Sequence, residues 1–215
     1  MKKIFLLLMM LPILALAQDD MYFDKLKPKS AKETFPEIRL PFDNGRIAYT
    51  GVVIVDSVKM KELFVRAKEW TALTFNSAQD VIQMDDKEAG KLIIKAIDKV
   101  NISSKSLGME NITTYSLYFT LNLTFKDNKY KYELNNFRVM LAPSKEIPHP
   151  DETLVENTYQ SYHKYCCEQK RDYWVNKSML RLWADILRNV DESAKIIIDE
   201  LKIAVEKPSN GKNDW

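Results

Sequence analysis

Two cysteines, two histidines and five glycines are all that this 215-residue chain holds of the residue types on which most recognisable site chemistry rests. The cysteines, Cys166 and Cys167, are neighbours, so they supply neither two spaced ligand pairs nor a disulfide framework. His149 and His163 stand in a linker and in a helical excursion, away from the strands, which makes histidine-based catalysis a poor expectation. The sequence has no phosphate-binding glycine-rich loop, no glycine-flanked serine and no HExxH. Five glycines and 8 prolines also exclude a collagen-like or low-complexity chain.

An excess of positive charge is missing as well, once the N-terminus is read. Met1-Lys2-Lys3, an apolar run from Ile4 to Leu14 and Ala15-Leu16-Ala17 before Gln18-Asp19-Asp20 form the pattern of a secretory signal peptide cut after Ala17. A membrane-spanning helix needs about 20 apolar residues, and Pro12 and the acidic pair leave fewer. No cysteine near the cut offers a lipid-anchor site, so the expectation is export to the periplasm or cell envelope of a Gram-negative bacterium, with no transmembrane segment in the mature chain. The 32 Lys and Arg fall to 30 when Lys2 and Lys3 are removed, against 30 Asp and Glu. Near-zero net charge and the compartment both exclude nucleic acid as a partner. With 46% hydrophobic residues, about 200 mature residues bury one core. The expected organisation is signal peptide 1–17, extended arm 18–44, one domain 45–207 with an excursion at 143–178, and polar tail 208–215.

What is present is alternation. Tyr115, Leu117, Phe119, Leu121, Leu123 and Phe125 are apolar at every odd position, with Ser116, Tyr118, Thr120, Asn122, Thr124 and Lys126 between them. Asp127-Asn128 breaks the pattern with residues that tolerate positive φ, and Lys129 to Leu141 resumes it, predicting one long hairpin over 113–142. In its second strand the apolar parity changes from Tyr130, Tyr132 and Leu134 to Phe137, Val139 and Leu141, which predicts a bulge at Asn135-Asn136. That register sets Phe125 opposite Tyr130, Leu121 opposite Leu134 and Tyr115 opposite Leu141.

Around the hairpin, Asn44-Gly45 signals a turn into a strand over 47–55. Asp56 or Ser57 is positioned to cap a helix carrying Met60, Leu63, Phe64, Ala67, Thr71 and Thr74 at helical spacing, with Trp70 beside them. Strands over 80–84 and 91–102 follow, the second with Asp98 on its apolar parity, where a bulge or strand end is expected. After Pro143 to Pro150 comes a helical excursion around Val155, Tyr159, Tyr162 and Cys166, and then a long helix. Its stripe is Met179, Leu182, Trp183, Ile186, Leu187, Val190, Ala194, Ile197, Ile198, Leu201 and Val205. The order β-α-β-β-β-β-α predicts an α+β fold, an antiparallel sheet with two helices packed on one face.

Gly51-Val52-Val53, Leu63-Phe64-Val65-Arg66-Ala67 with Trp70 and Phe75, Val81-Ile82, and Tyr115 onward to Phe125-Lys126-Asp127-Asn128-Lys129-Tyr130 resemble a family of secreted bacterial domains of unknown function, domain of unknown function 4468. The resemblance covers about residues 48–142. It implies a TBP-like β-α-β4-α fold and brings no catalytic residues, cofactor or metal with it. In the family pattern a glycine often follows the hairpin aspartate; Asn128 stands there in this chain, and asparagine also tolerates positive φ. A fold shared with a DNA-binding protein is no argument for binding DNA.

Candidate chemistry is sparse. Export places Cys166 and Cys167 in an oxidising compartment. Neighbouring Cα atoms about 3.8 Å apart lie below the usual disulfide separation, so buried thiols, a bridge between two molecules and a bond between neighbours all remain open. His163, Cys166 and Cys167 at i, i+3 and i+4 could share one helical face as metal ligands, but they form one cluster where structural zinc uses two pairs, so no metal is assigned. Asp85-Asp86 reads as solvated turn acids, and Asp56-Ser57-Val58 resembles a short O-glycosylation motif. The even positions Tyr118, Thr120, Asn122 and Thr124 line the sheet face turned away from the helices and are the candidate binding residues, for a protein or glycan partner. The expected function is a non-enzymatic exported module that binds or scaffolds with this face, needing no cofactor. The alternative is a hydrolase acting on cell-wall or glycan material.

Overall fold

The computed structural model describes residues 35–75, 77–106, 109–143, 145, 147–148, 150–166 and 176–208, with the side chains of 104–106 and 109–111 excepted. The expected signal peptide, arm residues 18–34, His149, Cys167 and the tail from Ser209 lie outside them.

Seven strands form one sheet: β1 (Phe42–Asp43), β2 (Arg46–Ile54), β3 (Ile82–Asp86), β4 (Lys91–Ser106), β5 (Met109–Lys126), β6 (Lys129–Leu141) and β7 (Glu152–Leu154). Their order is β1-β2-β6-β5-β4-β3, with β7 also paired to β6, and every pairing is antiparallel. The helices are α1 (Met60–Thr74), the single turn α2 (Ala78–Val81), α3 (Val155–Cys166) and α4 (Lys177–Glu206). The sheet is central because β5 pairs along its length with β4 and β6, and alternation sends Leu117, Phe119, Leu121, Leu123 and Phe125 to the face that α1 and α4 cover.

The long hairpin keeps the predicted register, Phe125 with Tyr130, Leu121 with Leu134 and Tyr115 with Leu141. The register shifts between Tyr118 and Thr120, where one residue of β5 faces two of β6, and Asn136 takes φ 62°. That bulge restores Phe137 and Val139 to the covered face. Asn128, where a glycine was the family's pattern, adopts φ 66°.

The first helix is capped from a distance. Neither Asp56 nor Ser57 caps it: Lys59 is the N-cap residue and offers no side-chain bond. Asp127, from the β5–β6 turn, accepts the Met60 N–H at 2.8 Å and holds Lys59 Nζ at 3.1 Å. The Asn128 N–H donates to the Val58 carbonyl at 2.8 Å, so the hairpin tip seals the helix entrance. Ser57 stands exposed at φ 63°. At the far end, buried Arg66 donates to the Val205 and Glu206 carbonyls at 2.9 and 3.2 Å and pairs with Glu62 at 3.2 Å. One guanidinium therefore satisfies the end of α4 from the middle of α1.

Three local expectations are corrected. Asp80 and Val81 are helical, because the Ser77 hydroxyl accepts the Asp80 N–H and starts α2, so β3 begins only at Ile82. The strand β4 runs through Asp98 without a bulge, since Asp98 keeps solvent access and accepts the Lys99 N–H at 2.7 Å. In the first turns of α4, Leu180 and Ala184 are buried in place of Met179, which is 40% exposed.

Candidate functional site: the open face of the sheet

Opposite the helices, the pleat presents a second set of residues. Cross-strand rows are fixed by register: Val52, Lys131, Thr124 and Lys91 form one, and Thr50, Glu133, Asn122 and Ile93 the next. Ala48, Asn135, Thr120 and Lys95 form a third, followed by Arg138, Tyr118 and Ile97 beyond the bulge. Tyr118, Thr120, Asn122 and Thr124 thus share the face opposite the helices, as their parity requires.

Their exposure is not uniform. Thr120 is only 8% exposed, because a short side chain on the central strand sits between the longer Asn135 and Lys95 across its two pairings. Tyr118, Asn122 and Thr124 are half-buried. The Arg138 guanidinium lies 5.4 Å from the Tyr118 ring centroid and pairs with Glu152 of β7 at 2.7 Å. Asn135 donates to Glu133 Oε1 at 2.6 Å, so the acid on the face is already engaged.

The residues that rise above this floor come from the neighbouring strands, and the sequence reading missed them. Lys91, Lys95 and Lys99 of β4, Lys126 of β5, and Lys129 and Lys131 of β6 are all exposed. Among the described residues none of these six forms an ion pair. Val52 and Ile54 stand beside them at 62% and 70% exposure, with Ile97 at 54%. The signal was legible: i, i+4, i+8 lysines on one strand and i, i+2 lysines on another are all of one parity.

Elsewhere the candidate groups are occupied. His163 Nε2 lies 2.7 Å from the Ile38 carbonyl, which can only accept, so that nitrogen carries the proton, and the ring packs on Tyr159 at 4.3 Å. Cys166 is the last residue of α3, and its neighbour Cys167 lies outside the described residues. Asp85 pairs with Lys68, and Asp86 accepts the Ala89 N–H at 2.8 Å, as turn acids do. Among the described residues no group of three His, Cys, Asp or Glu side chains is placed to hold a metal ion.

The cavities lined by described residues include two on the helix side. One of ≈ 340 Å³ includes Phe64, Lys68 and Asp85 in its lining. The other, ≈ 310 Å³, lies between β2 and α4 with Tyr49, Tyr132, Lys195 and Asp199 in its walls. There Tyr49 donates to Asp191 at 2.9 Å and Lys195 pairs with the same carboxylate at 2.6 Å. Burial, then the bond to Asp191, pushes the Tyr49 phenol far above its ordinary value of 10.0, which keeps it protonated and unfit as a base or nucleophile.

An antiparallel sheet, backed by helices on one face and open on the other, defines the class as α+β with a TBP-like layout. Residues 49–140 match the family model described as a domain of unknown function (DUF4468) with TBP-like fold. A crystal structure of a DUF4468 family protein from Bacteroides ovatus ATCC 8483 superposes with a TM-score of 0.56 at 13% identity, covering 80% of this chain and 92% of that one. A TBP-like protein from Parabacteroides distasonis ATCC 8503 does so with a TM-score of 0.50 at 14% identity, covering 76% and 97%. At such identities the likeness concerns the fold. No curated protein matches the chain. Among the described residues no helix is long and apolar enough to cross a membrane.

Proposed function

We propose that the protein is a non-enzymatic binding or scaffolding module of the bacterial cell envelope, exported by its N-terminal signal peptide, and that the open sheet face is its working surface. The observation that supports this reading is the contrast across the sheet. The helix side is packed with apolar side chains, whereas the other side carries unpaired lysines and exposed aliphatics that contribute nothing to the core. The hydrolase alternative has less support, since the Asp191 carboxylate beside one cavity is taken up by Tyr49 and Lys195 and Asp85 in the other is paired with Lys68.

The test is association of the full chain with the envelope fraction of its own bacterium, comparing wild type with Y118A/N122A. Both side chains are half-buried on the face, so circular dichroism and Tm should confirm that the variant folds. Loss of envelope association in a folded variant is expected; undiminished association would refute use of this face. Export is checked by Edman sequencing of the envelope-associated protein, which should begin at Gln18.

A further inference from the structure

We infer that the open face docks on a lipid bilayer surface bearing anionic headgroups, with the corner formed by Val52, Ile54, Lys126, Lys129 and Lys131 as its centre. This rests on the reading of the open face as the working surface and adds the chemistry of what it meets. Register builds the corner: Val52 pairs with Lys131, Ile54 with Lys129, and Lys126 with Lys129 across the turn. Two aliphatic side chains at 62% and 70% exposure therefore stand across from two lysines on adjacent strands, with a third lysine beside them. Neighbouring strands lie about 4.8 Å apart, so these groups share one small patch. Lys91, two strands from Lys131 in the same row, continues the positive field, and Lys95 and Lys99 extend it along β4.

The acids that border this field, Asp56, Asp86, Asp127 and Glu133, are outnumbered by its six lysines. Asp127 at the turn holds the α1 N-terminus and Lys59, Glu133 holds Asn135, and Asp86 accepts a backbone N–H. With Lys2 and Lys3 removed, the whole chain is close to neutral, so the positive charge is a property of the face and calls for a negative partner.

Composition then chooses among negative partners. Protein interfaces are depleted of lysine and enriched in aromatics, the reverse of this patch. Glycans and single-stranded nucleic acids are gripped by stacking on aromatic rings, and the aromatic ring on the face, Tyr118, is covered by Arg138. Lysine is a hydrated point charge on a flexible stem, without the fork that fixes a single phosphate or carboxylate. A mobile, diffuse array of anionic headgroups needs no fixed geometry, and the lysine stems can lie along the surface while the ammonium groups reach the headgroups. Val52 and Ile54 then enter the interface, adding apolar contact to electrostatic attraction.

The probe is co-sedimentation of the full chain with vesicles of phosphatidylcholine alone or with about 30% phosphatidylglycerol, an anionic fraction chosen to give a surface potential of physiological size. Binding is expected on the anionic vesicles only, and it should disappear as salt rises from about 0.05 to 0.5 M and shortens the screening length. Each lysine near such a surface changes partitioning roughly fivefold, so K126Q/K129Q/K131Q should lose roughly 100-fold. Removing as much charge from the helix side, K61Q/K68Q/K202Q, should leave binding within about twofold, because those lysines lie off the face. Equal binding to neutral vesicles, no binding to anionic ones, or an unaffected face variant of native Tm would overturn the inference. So would binding of polyglutamate in place of vesicles, which would assign the face to an acidic protein. If vesicles fail while Y118A/N122A still loses envelope association, the bilayer falls and the open-face reading stands; if neither responds, both fall.

Discussion

The same strands build two faces that could hardly be less alike. On the covered face Leu121, Leu134 and Phe137 are fully buried, and the Phe125 and Tyr130 rings pack tilted at 5.9 Å, with Phe64 of α1 edge-on to Phe125. On the open face the aliphatic residues Val52 and Ile54 are largely exposed and lysines stand clear of partners. Residue type alone does not separate the two faces, since β-branched aliphatics occur on both. What separates them is parity within a strand and the presence of helices on one side, so a valine or isoleucine contributes to stability on one face and to surface chemistry on the other.

The largest test of that contrast is a pair of truncations. Leu134→Ala, at 0% exposure, should cost about 3–4 kcal/mol by opening a cavity in a packed core. Ile54→Ala on the open face should stay within about 0.5 kcal/mol. Urea unfolding with unchanged m-values reads both, and a comparable cost at the two positions would break the comparison. Next, Arg66→Ala removes the donor to the last carbonyls of α4 and one partner of Glu62. Chemical denaturation should show a loss of about 2–3 kcal/mol, tempered by the partial exposure of Glu62.

A smaller effect should appear at Gly51, where an added Cβ would meet the Tyr132 ring directly. G51A should cost about 1–2 kcal/mol by overpacking, and Y132A should relieve most of it in a double-mutant cycle. Additive losses would show that the ring is not what demands glycine.

The smallest effect tests the hairpin tip. The Met60 N–H, then Lys59, hold the Asp127 carboxyl below its ordinary value of 3.8. Its folded pKa is therefore the lower one, so its contribution is present above the ordinary value and is lost as pH falls through the folded one. D127A should lower the Tm by a few degrees near neutral pH, D127N should keep most of it because asparagine also caps, and the gap between wild type and D127A should close at low pH. A gap that persists when Asp127 is protonated would remove the charge from the explanation.

Much of the fold was legible because it depends on short-range patterns. Period 2 in Tyr115 to Phe125 fixed which residues turn inward, and the parity change after Leu134 located the bulge that Asn136 makes with φ 62°. The four candidate residues were placed on the correct face by the same rule. That Thr120 is buried between Asn135 and Lys95, and that the lysines of β4 and β6 share its face, depended on which strands are neighbours. Strand order is not written in any one strand, and only the order β2-β6-β5-β4 brings these lysines together on one face.

By itself, then, the sequence determined the longer strands, the two long helices and the side of the sheet their residues take, because alternation and helical spacing are local consequences of backbone geometry; the short strands β1 and β7 and the start of β3 were not legible in it. Tertiary structure alone decided the contacts that span the chain. Asp127 caps a helix that begins 67 residues earlier, Arg66 closes one 139 residues later, and Val52 and Ile54 meet Lys131 and Lys129 across paired strands. The physical reason is that caps, ion pairs and surface patches form between groups brought together by packing, and their partners are distant in sequence wherever the sheet joins segments far apart in the chain.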